Sequence, residues 1–191
     1  MPDDTKADAP TASSSALPAA KTGAIEICLS LGSNLGDRLE HLSEAKRRIA
    51  ALPGVALLAQ SAVYETEPVG VAPQYRHLRF LNAVIVIQSR RQPVELLREF
   101  RAFELQMGRA HGAPRNAPRP IDIDIIYAGT LTVAEPELVI PHPRWAERSF
   151  VVKPLAELRP KLRIPGTART VRELLFSLPN AEKMVPFCRA W

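Results

Sequence analysis

The sequence predicts an α+β fold: a ferredoxin-like βαββαβ sandwich, an antiparallel sheet covered by two helices, with C-terminal additions. Two observations carry this. Between Ile25 and Tyr127, strand-like and helix-like patterns follow one another in the order strand, helix, strand, strand, helix, strand, the split βαβ arrangement. The chain has 191 residues, 46% of them hydrophobic and 24% charged, enough for one sizeable core. One domain over residues 23–191 is expected.

Residues 1–22 are rich in Ala, Pro, Ser and Thr, carry Asp3, Asp4 and Asp8, and lack a hydrophobic signal core. They read as a disordered N-terminal tail rather than a targeting peptide. Ile25 to Leu31 is a short apolar strand running into the turn Gly32-Ser33-Asn34-Leu35-Gly36-Asp37. Leu39, Leu42, Ala45, Ile49 and Leu52 then recur at three- and four-residue steps, one face of a helix that Pro53-Gly54 ends. The glycine turn has neither of the common phosphate-loop spacings, so on its own it is a chain reversal leading to a capped helix.

Val55 to Tyr64 reads as a second strand, followed by a loop, Glu65 to Pro73, punctuated by Pro and Gly. Phe80 to Ile87 is a third strand, with Phe80 and Asn82 on one face. Asn82 is an amide among apolar neighbours, and its donor and acceptor suit either a backbone edge or the amide edge of a heterocycle. Pro93 to Met107 is a second amphipathic helix, with Leu96, Leu97, Phe100, Phe103 and Met107 on its core side. Glu104 lies near its C-terminal end, where the helix dipole disfavours a carboxylate. It is therefore either a solvated surface residue or one held by an arginine or a ligand hydroxyl.

The fourth strand carries the chemistry. Ile121 to Tyr127 is rich in β-branched residues but is interrupted by Asp122 and Asp124, which the period of two places side by side on one face. Like charges that close require a cation or a proton between them. Just upstream, the loop from Gly108 to Pro120 delivers Arg109, Arg115 and Arg119. Paired carboxylates for a hard divalent ion, preceded by arginines on a loop, suit a polyphosphate with bound magnesium. Beyond them come a turn at Gly129-Thr130, a short strand around Leu131, and Leu138 to Arg144. There His142 sits between prolines with Arg144 and Arg148 close behind. Phe150 to Leu158 and Val171 to Leu178 read as two further short helices.

No apolar run approaches the roughly 20 residues of a membrane span. The net charge of +5 admits an anionic small substrate as readily as nucleic acid. The two cysteines, Cys28 and Cys188, have neither disulfide-framework nor zinc spacing, which fits a reducing cytosol.

Five separated blocks, in order, resemble the 6-hydroxymethyl-7,8-dihydropterin pyrophosphokinase family of folate biosynthesis. They are Leu29 to Gly36, Tyr64 to Pro68, Phe80 to Ala83, Ala117 to Asp124, and Pro141 to Arg144 continuing through Arg148-Ser149-Phe150. The resemblance implies transfer of pyrophosphate from ATP to the pterin hydroxymethyl group, with release of AMP, by a cytoplasmic monomer. It implies two magnesium ions on Asp122 and Asp124. Arg109 and Arg119 would act with those aspartates in catalysis, and Glu104, Arg109, Arg119, His142 and Arg148 would contact ATP. The pterin would fall to Thr66, Val69 and Asn82, with Phe80 and Phe150 stacking. Partners would be these two small molecules, without nucleic acid or membrane.

The chain departs from the pattern at Asn116, aromatic in some relatives, at His111, where an arginine can stand, and at Glu67, a proline in some. The competing class is a non-catalytic ferredoxin-like module that binds or regulates a partner, since this fold hosts many functions. An RNA-binding sheet would carry an aromatic signature on its central strands, and none is present. A silent relative would be expected to have lost a metal aspartate, and both stand here.

Overall fold

The computed structural model describes residues 23–112, 114, 116–179, 181 and 184–191. The expected N-terminal tail, residues 1–22, and Arg115 lie outside the described residues. The elements in chain order are β1 (Ile25–Ser33), α1 (Arg38–Ala50), β2 (Val55–Gln60), β3 (Val63–Thr66), β4 (Phe80–Ser89), α2 (Pro93–Gln106) and β5 (Asp122–Ala128). They continue with β6 (Val133–Ala134), β7 (Val139–Ile140), α3 (Ser149–Leu158), α4 (Val171–Ser177) and β8 (Pro186–Cys188). None of the described helices is long and apolar enough to cross a membrane.

The main sheet runs β5-β1-β4-β3-β8, with β2 also paired to β4. Every pairing is antiparallel. With β1 central between β4 and β5, the four-strand core has the expected ferredoxin-like order. The stretch expected as one strand from Val55 to Tyr64 is two. Ser61 breaks the ladder: its Oγ accepts the Val84 N–H at 2.9 Å and its own N–H reaches the Val84 carbonyl at 2.9 Å. The chain thereby shifts register between β2, on the far half of β4, and β3, on the near half. The strand expected around Leu131 forms two residues later, as the β6–β7 hairpin.

Strand periodicity divides the sheet into two faces. Ile27, Leu29 and Leu31 of β1, Leu81, Ala83, Ile85 and Ile87 of β4, and Ile123 and Ile125 of β5 pack against Leu42, Ala45 and Ile49 of α1 and Leu96 and Phe100 of α2. Asp37 caps α1 by accepting the Glu40 N–H at 3.1 Å. The other face is covered as well, beyond the two helices expected on the sheet. Cys28, Val84, Ile126 and Tyr127 pack against Val151, Val152 and Leu155 of α3 and Val171 of α4. This second layer stops short of the β1–β4–β5 end where Gly32 pairs with both Asn82 and Asp122 and Ser30 pairs with Asp124. Polar side chains collect there.

Candidate active site

The floor of the site is set by strand register. Asp122 and Asp124 of β5, Ser30 and Gly32 of β1, Phe80 and Asn82 of β4, and Thr66 of β3 line one cavity on the same face of the sheet. Gly32 is small for a reason: a Cβ there would stand 3.0 Å from Asn82 Oδ1 and 4.0 Å from the Asp122 Cβ. The Asn82 amide donates to Thr66 Oγ1 at 2.7 Å. Its carbonyl oxygen therefore faces the gap that glycine leaves.

The loop between α2 and β5 brings two arginines onto one aspartate. Arg109 Nη1 donates to Asp122 Oδ1 at 3.0 Å, and Arg119 Nη2 donates to Asp122 Oδ2 at 2.6 Å. Asn34 fixes the end of this loop, with its Oδ1 accepting the Arg119 N–H at 2.8 Å and its own N–H donating to the Arg119 carbonyl at 3.3 Å. The turn after β1, unremarkable from residue types alone, is thus a bracket for Arg119. Asp124 is met from the other side, by Arg148 Nη1 at 3.2 Å.

Glu104, for which a solvated surface position and a held carboxylate were both open, is buried with 6% exposure. Its Oε1 accepts the Ile123 N–H at 2.7 Å and its Oε2 accepts Arg109 Nη1 at 2.6 Å. Burial, reinforced by the neighbouring charge of Asp122, pushes the Glu104 carboxyl up to about 7. Burial likewise raises Asp124, with Asp122 adding to it and Arg148 opposing. His142 goes the other way: burial, then the charges of Arg148 and Arg144, lower it to about 4, so the ring is neutral near pH 7. Its Nδ1 accepts the Arg144 N–H at 3.1 Å, which leaves the ring proton on Nε2, 3.9 Å from Asp124 Oδ2.

Two cavities meet at the aspartates. The smaller, about 210 Å³, takes in Thr66, Val69, Phe80, Asn82 and Phe150 together with Arg119 and Arg148. The larger, about 580 Å³, takes in Glu104, Arg109 and His142. Asp122 and Asp124 line both and form the wall between them. Arg119 stands over the Phe80 ring, 5.6 Å from its centre, and Arg148 stands over Phe150 at the same distance. Every site residue expected from the sequence therefore lies at one cavity or the other.

Seven lining residues of the smaller cavity, Ser30, Gly32, Glu67, Gly70, Asn116, Arg144 and Glu147, are not among the site residues expected from the sequence. Asn116 has a left-handed backbone, φ +62°, and donates from Nδ2 to the Gly70 carbonyl at 2.7 Å, joining the two loops that border the cavity. Its signal was the departure from the aromatic pattern. Arg144 was noticed only as a neighbour of His142.

Among the described residues no cluster of three or more His, Cys, Asp or Glu side chains forms a cage for a metal. Two adjacent carboxylates open to two cavities are the donor set of a magnesium ion that takes its other ligands from phosphate and water. The residues present fit that ion.

Residues 28–160 match the family described as 7,8-dihydro-6-hydroxymethylpterin-pyrophosphokinase. The chain is 41% identical over 150 residues to the 2-amino-4-hydroxy-6-hydroxymethyldihydropteridine pyrophosphokinase of Methylorubrum extorquens, covering 78% of this chain and 91% of that protein. It is also 41% identical over 133 residues to a folate synthesis bifunctional protein of Arabidopsis thaliana, covering 70% of this chain but only 27% of the plant protein. Its fold resembles a crystal structure of Plasmodium falciparum HPPK-DHPS with pteroate, with a TM-score of 0.62 and 15% identity over 82% of this chain and 43% of the other. The chain thus spans less than half the length of these longer relatives. It belongs to the 7,8-dihydro-6-hydroxymethylpterin-pyrophosphokinase family.

Proposed function

We propose that this member of the family transfers the terminal diphosphate of ATP to the hydroxymethyl group of 6-hydroxymethyl-7,8-dihydropterin and releases AMP, with magnesium as cofactor. The observation that carries the reading is the wall formed by Asp122 and Asp124 between a smaller, aromatic-sided cavity and a larger one that brings Arg101, Arg109 and His142 to the same carboxylates. A heterocycle fits the first and a nucleotide the second, with the transferred group between them. In the reaction the pterin hydroxyl oxygen forms a bond to the β-phosphorus. The bond between that phosphorus and the oxygen bridging to the α-phosphate breaks, and AMP leaves with that oxygen.

Asp122 and Asp124 would hold two magnesium ions. Bound there, the metal neutralises phosphate charge and favours ionisation of the attacking hydroxyl. The chain's own groups do the positioning. Asn82 and Thr66 present an amide and a hydroxyl to the polar edge of the pterin, while Phe80 and Phe150 flank its ring. Arg109 and Arg119, which neutralise Asp122 in this structure, are in reach of phosphate oxygens arriving at the wall. Neutral His142, with its proton on Nε2, is a hydrogen-bond donor at the nucleotide side, and Arg148 supplies a cation at Asp124. The loop that carries Arg109 and Arg119 also borders the cavities, and its closure over bound substrates would exclude water.

The test is product formation. The purified chain with ATP, magnesium and the hydroxymethyl dihydropterin should yield AMP and a diphosphorylated pterin in equal amounts, read by chromatography and mass. Folded protein that binds pterin yet forms neither would remove the proposal and favour a binding or regulatory module.

A further inference from the structure

In the proposed reaction the diphosphate crosses the aspartate wall. It enters on the nucleotide in the larger cavity and ends esterified to the pterin in the smaller one. The smaller cavity contains three arginines. Two are engaged: Arg119 with Asp122 at 2.6 Å and Arg148 with Asp124 at 3.2 Å. Arg144 is not. Among the described residues it has no carboxylate partner within ion-pair distance, although Glu147 lines the same cavity one turn on.

Arg144 also faces one side only. It lines the smaller cavity and is absent from the lining of the larger. Its backbone is held in place. The Arg144 N–H donates to His142 Nδ1 at 3.1 Å, its carbonyl accepts the Glu147 N–H at 3.3 Å, and the next residue, Trp145, is buried with 4% exposure. A guanidinium with no carboxylate partner offers a neutral alcohol no more than a single hydrogen bond to an uncharged oxygen. It gives a diphosphate a planar, two-pronged donor that remains charged at any working pH.

We infer that Arg144 binds the diphosphate of the product, so that the smaller cavity prefers the diphosphate ester to the hydroxymethyl substrate. The inference rests on the reaction proposed above. It makes Arg144 a specificity-determining residue on the pterin side, separate from the arginines that meet Asp122.

Binding alone tests it, without turnover. The wild-type chain, Arg144→Met and Arg144→Lys are titrated by pterin fluorescence, in magnesium, with 6-hydroxymethylpterin and with its diphosphate ester. Arg144→Met should weaken the ester's affinity about tenfold, in line with loss of a partly exposed charge-assisted contact, and leave that of the alcohol within about twofold. Arg144→Lys should recover part of the loss, and the wild-type preference for the ester should shrink as salt is added. An Arg144→Met protein that keeps the wild-type ratio of the two affinities overturns the inference and leaves the proposed reaction standing. A wild-type chain that binds neither ligand overturns both.

Discussion

Glu104 Oε1 accepts the backbone N–H of Ile123 at 2.7 Å, and Ile123 is the residue between Asp122 and Asp124. One buried side chain on α2 thus fixes the strand segment that holds both aspartates, while its second oxygen orients Arg109. Glu104→Ala should leave the Ile123 N–H without a partner and cost about 1–3 kcal/mol of stability, measured by denaturant unfolding. Glu104→Gln keeps an acceptor of the same size and should recover most of that loss, while turnover stays low because Arg109 has lost one of its two carboxylate partners and keeps only Asp122. Equal stability losses in the two variants would show that the hydrogen bond to Ile123 does not matter.

Asn82 and Gly32 are matched across β1 and β4. Asn82→Ala should weaken pterin binding far more than ATP binding. Gly32→Ala should act in the same direction with the Asn82 side chain still present, because the new methyl meets Asn82 Oδ1 at 3.0 Å and must displace it. Isothermal titration with each ligand separates these effects. Equal losses for pterin and ATP would rule out a pterin-facing role for the amide.

Asn116 permits a cleaner substitution than most loop residues. Its φ of +62° suits glycine, so Asn116→Gly removes the hydrogen bond to the Gly70 carbonyl without straining the backbone. Pterin affinity should fall roughly two- to tenfold, the worth of one hydrogen bond. Asn116→Ala adds left-handed strain and should lose more. Unchanged affinity in both would mean that the tie between the loops is incidental to binding.

Far from the site, Glu26 predicts an acid limb of stability. Burial raises its carboxyl, but hydrogen bonds from Arg159 and Tyr127, with the charge of Arg159, outweigh burial and leave it below its ordinary value of 4.5. Its contribution is therefore complete above pH 4.5 and is lost as pH falls through the lower, folded value. Because the pair is partly exposed, Glu26→Gln should cost only on the order of 1 kcal/mol at neutral pH. The gap between wild type and variant in urea melts should close in acid. A gap that does not change with pH would assign the effect to packing.

Local pattern made much of this legible. The period of two in Ile121 to Tyr127 placed two carboxylates together, and the alternation of strand and helix patterns gave the order of the sheet core. The remainder depended on contacts distant in sequence. Ser61 breaks a strand through Val84, and Asn34 holds Arg119, 85 residues away. Glu104 stayed open between a solvated and a held carboxylate because one of its partners, the Ile123 N–H, belongs to another element. The edge strand β8 was missed altogether. Its three residues pair with β3, and the chain before them is held from another element, Lys153 on α3 donating to the Ala181 and Met184 carbonyls at 2.9 and 2.6 Å.

The most direct measurement is steady-state AMP release from ATP and magnesium, with the hydroxymethyl dihydropterin, for the wild-type chain, Asp122→Ala and Asp124→Ala. A metal-holding wall predicts that each variant stays folded, binds pterin within a few-fold of wild type, and turns over slower by orders of magnitude. Near-normal turnover in either variant would contradict the assignment of that aspartate to the magnesium site.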